Sequence, residues 1–133
     1  MPLPEELVSI KKTVNKAQVL AYAEASGDYN PIHIDEKFAA ETPFGRTIAH
    51  GMLILSFIAE MMTSDFGEQW LKTGGLKVRF KAPVFVGDTV YTFGSLDKIE
   101  AAAGANVQLY SVGCKGDDGT IYIIGKASVR LIQ

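Results

Sequence analysis

Histidine and cysteine are scarce in this chain, with two of the first and one of the second among 133 residues. A lone Cys114 excludes an intrachain disulfide and fits a reducing compartment. So few nitrogen and sulfur ligands make a zinc site within one chain unexpected, and no other metal or cofactor is expected either. Charge of one sign is also lacking. A formal net charge of −2 offers no basic surface to nucleic acid and no polybasic tail to lipid headgroups. Long hydrophobic runs are missing as well. The longest apolar segment, Met52 to Met62, is interrupted by Ser56 and Glu60 and falls short of the roughly 20 residues a membrane span needs. Met1-Pro2-Leu3-Pro4-Glu5-Glu6 has neither the charged nor the apolar region of a signal peptide. The expectation is a soluble, cytoplasmic protein that binds neither nucleic acid nor membrane.

What is present suits one globular unit. Hydrophobic residues make up 47% and charged residues 21% of the chain, ordinary for a folded protein and wrong for a disordered one. The length supports a single domain spanning residues 1–133 with one core, and no repeat, low-complexity tract or linker divides it.

Leu7-Val8-Ser9-Ile10 reads as a first strand. Thr13 suits the cap of a helix from Val14 to Ser26, whose apolar contacts are Ala17, Val19, Leu20, Ala21 and Ala23, ended by Gly27. Asp35 to Glu41 offers a short helix with Asp35 as cap and Phe38 as its buried residue. Ala49-His50-Gly51 opens the longest helix, apolar on nearly every side from Met52 to Met62, which predicts burial all round. From Gly74 the period changes to two. Strands are expected at Leu76–Phe80, Thr89–Ile99, Asn106–Lys115 and Thr120–Ile132, with Lys81–Asp88 as an edge or loop. Gly116-Asp117-Asp118-Gly119 reads as a hairpin connection with two glycines free to take positive φ. Strands joined by short turns form an antiparallel sheet whose dry face can wrap the central helix, an α+β arrangement.

The chemistry is concentrated between Ala25 and His33. Gly27 and the pair Asn30-Pro31 break regular structure there, leaving Asp28 and His33 on a loop of restricted shape. A turn between them brings a carboxylate and an imidazole to one water, the elements of general acid/base catalysis. Gly51, at the start of the central helix, offers a free backbone N–H and lets a substrate approach closely, which suits polarisation of a carbonyl. The same residues also suit plain structural roles. Asp28 and Asn30-Pro31 are turn formers, His33 between Ile32 and Ile34 fits a half-buried histidine, and Gly51 fits a packing glycine. His50 reads as structural, hydrogen-bonding the nearby loop, and Met61-Met62 as core filling. Lys77, Arg79 and Lys81 alternate along a strand and read as a solvated face.

Tyr22-Ala23-Glu24-Ala25-Ser26-Gly27-Asp28-Tyr29-Asn30-Pro31-Ile32-His33, with Ala39 following, resembles the signature of the MaoC-like, (R)-specific enoyl-CoA hydratases. Ala49-His50-Gly51-Met52 and Pro83-Val84-Phe85-Val86-Gly87-Asp88 match in the same order. The resemblance implies a hot-dog fold, an antiparallel sheet wrapped around a long helix, and a homodimer whose sheets join. It implies an acyl-CoA thioester as substrate, without a cofactor, and reversible syn hydration of a trans-2-enoyl-CoA to a (3R)-3-hydroxyacyl-CoA. Asp28 and His33 match the catalytic pair and Gly51 the oxyanion-hole amide. Lys77, Arg79 and Lys81 are candidate contacts for the CoA phosphates. The competing readings are a dehydratase of a branched, dicarboxylic or carrier-protein-bound hydroxyacyl thioester, a hot-dog thioesterase, and a non-catalytic acyl-CoA-binding protein.

Overall fold

Residues 4–132 are described by the computed structural model; Met1, Pro2 and Leu3 of the N-terminal stretch lie outside them. The chain enters along what becomes an edge of the sheet. Leu7 donates its N–H to the Gly94 carbonyl, but the strand expected at Leu7–Ile10 does not form. The Thr92 hydroxyl takes the Ile10 N–H at 2.8 Å and the Ser9 hydroxyl donates to the Thr92 carbonyl at 2.6 Å. Side chains thereby occupy ladder positions, and regular pairing begins only at β1, Lys11–Thr13. Thr13 therefore belongs to a strand, and the cap of the first helix passes to Asn15, whose side chain accepts from the Gln18 N–H at 2.8 Å. That helix, α1 (Lys16–Ser26), buries Val19 and Ala23 one turn apart, and Gly27 closes it at φ 76°.

Two short helices follow, α2 (Pro31–Ile34) and α3 (Glu36–Ala40). Asn30 caps the first through its side-chain oxygen with Pro31 in its first turn, so the proline begins a helix here. Asp35 caps α3 as expected, accepting from the N–H groups of Lys37 and Phe38. The buried residue of α3 is Ala39, not Phe38, which is 46% exposed. So short a helix turns one position inward, and it is the small one.

The central helix, α4, runs from Gly51 to Phe66 and buries Leu53, Ile54, Phe57, Ile58, Met61 and Met62. It is not covered all round: Met52, Ser56 and Glu60, spaced by four, form an exposed stripe. Its hydrophobic face meets one sheet, and contact with one sheet leaves the opposite side open. Gly67, at φ 55°, leads into α5 (Glu68–Thr73), which hydropathy did not suggest and which buries Trp70.

The strands β2 (Gly75–Phe80), β3 (Thr89–Ala102), β4 (Ala105–Gly116) and β5 (Ile121–Ile132) complete an antiparallel sheet in the order β1-β3-β4-β5-β2. Val90, Val112, Cys114, Ile123, Ala127 and Val129 on its inner face belong to one core with α4. In the β4–β5 connection only Gly119 takes a positive φ, 85°. Gly116 is needed for space instead, because a Cβ there would lie 2.7 Å from the Tyr122 hydroxyl. Among the described residues no helix is long and apolar enough to cross a membrane.

Candidate active site

The loop from Gly27 to Asn30 is held largely by its own polar groups. The Asp28 N–H donates to the Ser26 hydroxyl at 3.2 Å, and Asp28 Oδ1 accepts from the Asn30 N–H at 3.1 Å. One carboxylate oxygen is thus used to shape the turn, and the other, Oδ2, is the one nearer His33. Asn30 then caps α2, and α2 carries His33 rather than the irregular loop that the Asn30-Pro31 pair suggested.

The segment from Thr47 to His50 fixes His33 and the start of α4. It is strapped on one side to the loop before β3, through Ala49 N–H to Val84 O at 2.8 Å and Val86 N–H to Thr47 O at 3.3 Å. On the other side Ile48 N–H donates to the Ile32 carbonyl at 3.2 Å. The Ile48 carbonyl lies 2.8 Å from His33 Nδ1. A carbonyl oxygen can only accept, so Nδ1 carries a proton, and in the neutral ring Nε2 is the nitrogen with the lone pair.

His33 Nε2 lies 3.9 Å from Asp28 Oδ2, with the imidazole 11% and the carboxylate 50% exposed. That separation is too long for a direct hydrogen bond. It suits one water donating a hydrogen to each acceptor, since two contacts of about 2.8 Å then meet at roughly a right angle. A carboxylate and an imidazole are therefore spaced so that one O–H-bearing molecule can reach both.

His50 lies beneath this pair. Its Nε2 is 3.0 Å from the Asp28 carbonyl, and its ring stacks on that of His33 with centroids 3.9 Å apart at 27°. The structural reading of His50 as a bond to the nearby loop agrees with this geometry. Asp28, His33 and His50 each bring a potential ligand atom within 4.8 Å of the others. The arrangement is poor for a metal. One nitrogen of each ring is committed to a carbonyl, and an ion must lie in the plane of each imidazole it binds, at about 2.0–2.1 Å. Rings stacked face to face do not share such a point.

Gly51 follows His50 directly and begins α4. The N–H groups of a helix's first turn have no acceptor within the helix, and the macrodipole places partial positive charge there. Gly51 also lines a largely apolar pocket of about 330 Å³ together with Phe44, Ile54, Phe80, Val84 and Tyr122. A Cβ on Gly51 would sit 3.0 Å from the Phe80 ring. Asp28 and His33 are brought together by the fold but do not line this pocket; Ile48, Ala49 and Gly51 form its wall on their side. Of the three basic candidates only Lys81 reaches the pocket, while Lys77 and Arg79 are exposed on the edge strand β2.

The Ile48 carbonyl and the apolar lining escaped sequence reasoning. A backbone carbonyl carries no residue-type signal. Phe44, Phe80 and Tyr122 are scattered in sequence, and nothing local joins them.

Residues 4–112 match the model of the MaoC-like domain. The (R)-specific enoyl-CoA hydratase of Aeromonas caviae is 33% identical over 92% of this chain and 90% of its own length. The 3-hydroxybutyryl-CoA dehydratase of Methylorubrum extorquens is 38% identical over 61% of this chain and 52% of its own. The solved structure of the (R)-hydratase from A. caviae superimposes with a TM-score of 0.83 at 29% identity, covering 98% of this chain and 97% of that one.

Proposed function

The chain belongs to the MaoC-like domain family, and from that premise we propose that it is a hydro-lyase that reversibly adds water to a trans-2-enoyl-CoA to give a (3R)-3-hydroxyacyl-CoA. The observation that carries this reading is the approach of Asp28 Oδ2 and His33 Nε2 to 3.9 Å, a separation that one water can bridge. Hydration of a conjugated thioester needs a water oxygen to bond C3 while a proton arrives at C2. The pair takes the proton that leaves the water and returns it to C2, ending as it began. Donation and attack come from one side of the double bond, so addition is syn. The hydrogen bond from His33 Nδ1 to the Ile48 carbonyl keeps Nε2 as the working nitrogen.

As C3 is attacked, negative charge moves onto the thioester oxygen. The Gly51 N–H at the mouth of α4 stabilises it, a contribution of about 10²–10³-fold for one such donor. The apolar pocket beside Gly51 takes the acyl chain. General acid/base assistance of about 10²–10⁴-fold supplies the rest of what these residues contribute.

Two copies of the chain form the working unit in this reading, which takes residues 1–133 as one hot-dog domain acting in the cytoplasm. The edge strand β2 has one side unpaired among the described residues, an arrangement that invites pairing with another strand. Phe80 and Met52, 54% and 56% exposed, supply apolar surface on that strand and at the entry of α4. Sedimentation or light scattering should give twice the mass of one chain.

The test of the activity is incubation with crotonyl-CoA and longer trans-2-enoyl-CoAs. Loss of the conjugated thioester absorbance with formation of the (3R) alcohol is expected. Release of free CoA without hydroxyacyl product would identify a thioesterase instead, and binding without turnover a non-catalytic protein.

A further inference from the structure

His50 is buried to 1% exposure, yet neither packing nor capping accounts for an imidazole there. It occupies the cap position of α4 without making a side-chain cap bond. Among the described residues its Nδ1 is buried without a hydrogen-bond partner, a penalty of about 1–3 kcal/mol that an apolar ring would avoid. Local rules are broken at stability's expense chiefly where function requires it. What the imidazole does supply is a donor at Nε2, directed at the Asp28 carbonyl across 22 positions of sequence.

The tethers on Asp28 show why that donor matters. Its N–H bond to Ser26 and its Oδ1 bond from Asn30 both span two residues and move with the loop. The bond from His50 joins Asp28 to α4. The same ring backs the His33 imidazole at 3.9 Å and is itself flanked by Tyr22, with centroids 4.8 Å apart at 53°. Gly51 is the next residue along the chain. One side chain therefore contacts both members of the acid/base pair and begins the helix that carries the carbonyl-polarising N–H.

We propose that His50 is a positioning residue: as the neutral Nε2–H tautomer it holds Asp28 and His33 in register with the Gly51 end of α4. The proposal rests on the hydratase reading. A displacement of about 1 Å in such a site can cost about 10²-fold in rate, whereas the fold loses little when an aromatic ring of similar shape takes the space.

Two substitutions separate the parts of the role. His50→Phe keeps the ring and removes the donor, and His50→Gln restores a donor of similar reach without the ring. His50→Phe is expected to melt within a few degrees of wild type, with kcat for crotonyl-CoA hydration lowered by about 10–100-fold and KM changed less than about threefold. His50→Gln should recover at least about fivefold of that loss. A kcat for His50→Phe within about twofold of wild type would overturn the proposal, as would a loss that merely follows the unfolded fraction. If wild type hydrates no enoyl thioester, the hydratase reading itself has failed. In that case, or if neither variant folds, nitrogen-15 NMR of the wild-type protein decides. A protonated Nε2 and bare Nδ1 on His50 at neutral pH support the positioning bond, and the opposite tautomer refutes it.

Discussion

Asp28→Asn is the most informative substitution because the structure fixes how the new amide must sit. The Asn30 N–H donates to Oδ1 at 3.1 Å, and only an oxygen can accept it. The carbonyl oxygen of the asparagine therefore takes the Oδ1 place, and its NH₂ takes the place of Oδ2, 3.9 Å from His33 Nε2. The turn, the Ser26 contact and the bond from His50 to the main-chain carbonyl all survive. Asparagine is as suited to this turn as aspartate, so stability should change by no more than about 0.5 kcal/mol. At the water position the outcome is different. An acceptor has become a donor, the water turns its lone pair toward it, and the proton loses one of its two places to go. The expected loss is about 10²–10⁴-fold in kcat, roughly 3–5 kcal/mol of barrier at about 1.4 kcal/mol per tenfold. Hydration of crotonyl-CoA followed by absorbance, beside a thermal melt of the same sample, measures both quantities. Turnover within tenfold of wild type would refute the role of Oδ2. A large drop in melting temperature would refute the account of the turn.

Further outcomes follow from other sites. Gly51→Val keeps the backbone N–H but crowds the thioester's approach to it with a branched side chain, whose Cβ alone would meet the Phe80 ring at 3.0 Å; a donor the oxyanion can no longer reach should lower kcat/KM by at least about 10²-fold, while the fold persists because Phe80 is half exposed and can swing aside. Gln108 is fully buried with both amide ends unpartnered among the described residues, so Gln108→Met should raise stability by about 1–3 kcal/mol in urea unfolding, with an unchanged or lower stability marking that reasoning as wrong. Cys114 is fully buried and burial pushes its thiol up to about 12; a disulfide reagent at pH 8 should leave the native protein untouched and react only after unfolding.

Much of the architecture was legible because its causes are local. Gly27 stops a helix through its own φ, Asp35 caps α3 through N–H groups two and three residues on, and the alternation of Lys126 to Leu131 marks the faces of β5. Where expectation failed, a distant partner decided. Leu7–Ile10 has strand composition, but Thr92 diverts its ladder bonds. Thr13 resembles a cap, but pairing with Thr89 claims it for β1. Phe38 looked like the anchor of α3, yet the direction in which a five-residue helix faces is set by its neighbours, and they admit only Ala39.

The candidate site divides along the same line. Residue types and spacing determined that Asp28, His33 and Gly51 stand out, since a carboxylate, an imidazole and a side-chain-free helix entry are chemical properties of the residues themselves. Tertiary structure decided which nitrogen of His33 faces the carboxylate, through the Ile48 carbonyl, and that His50 lies beneath the pair. It also decided that the apolar pocket opens beside Gly51 and not beside the pair. Those facts depend on backbone carbonyls, which are the same in every residue, and on packing between segments far apart in the chain.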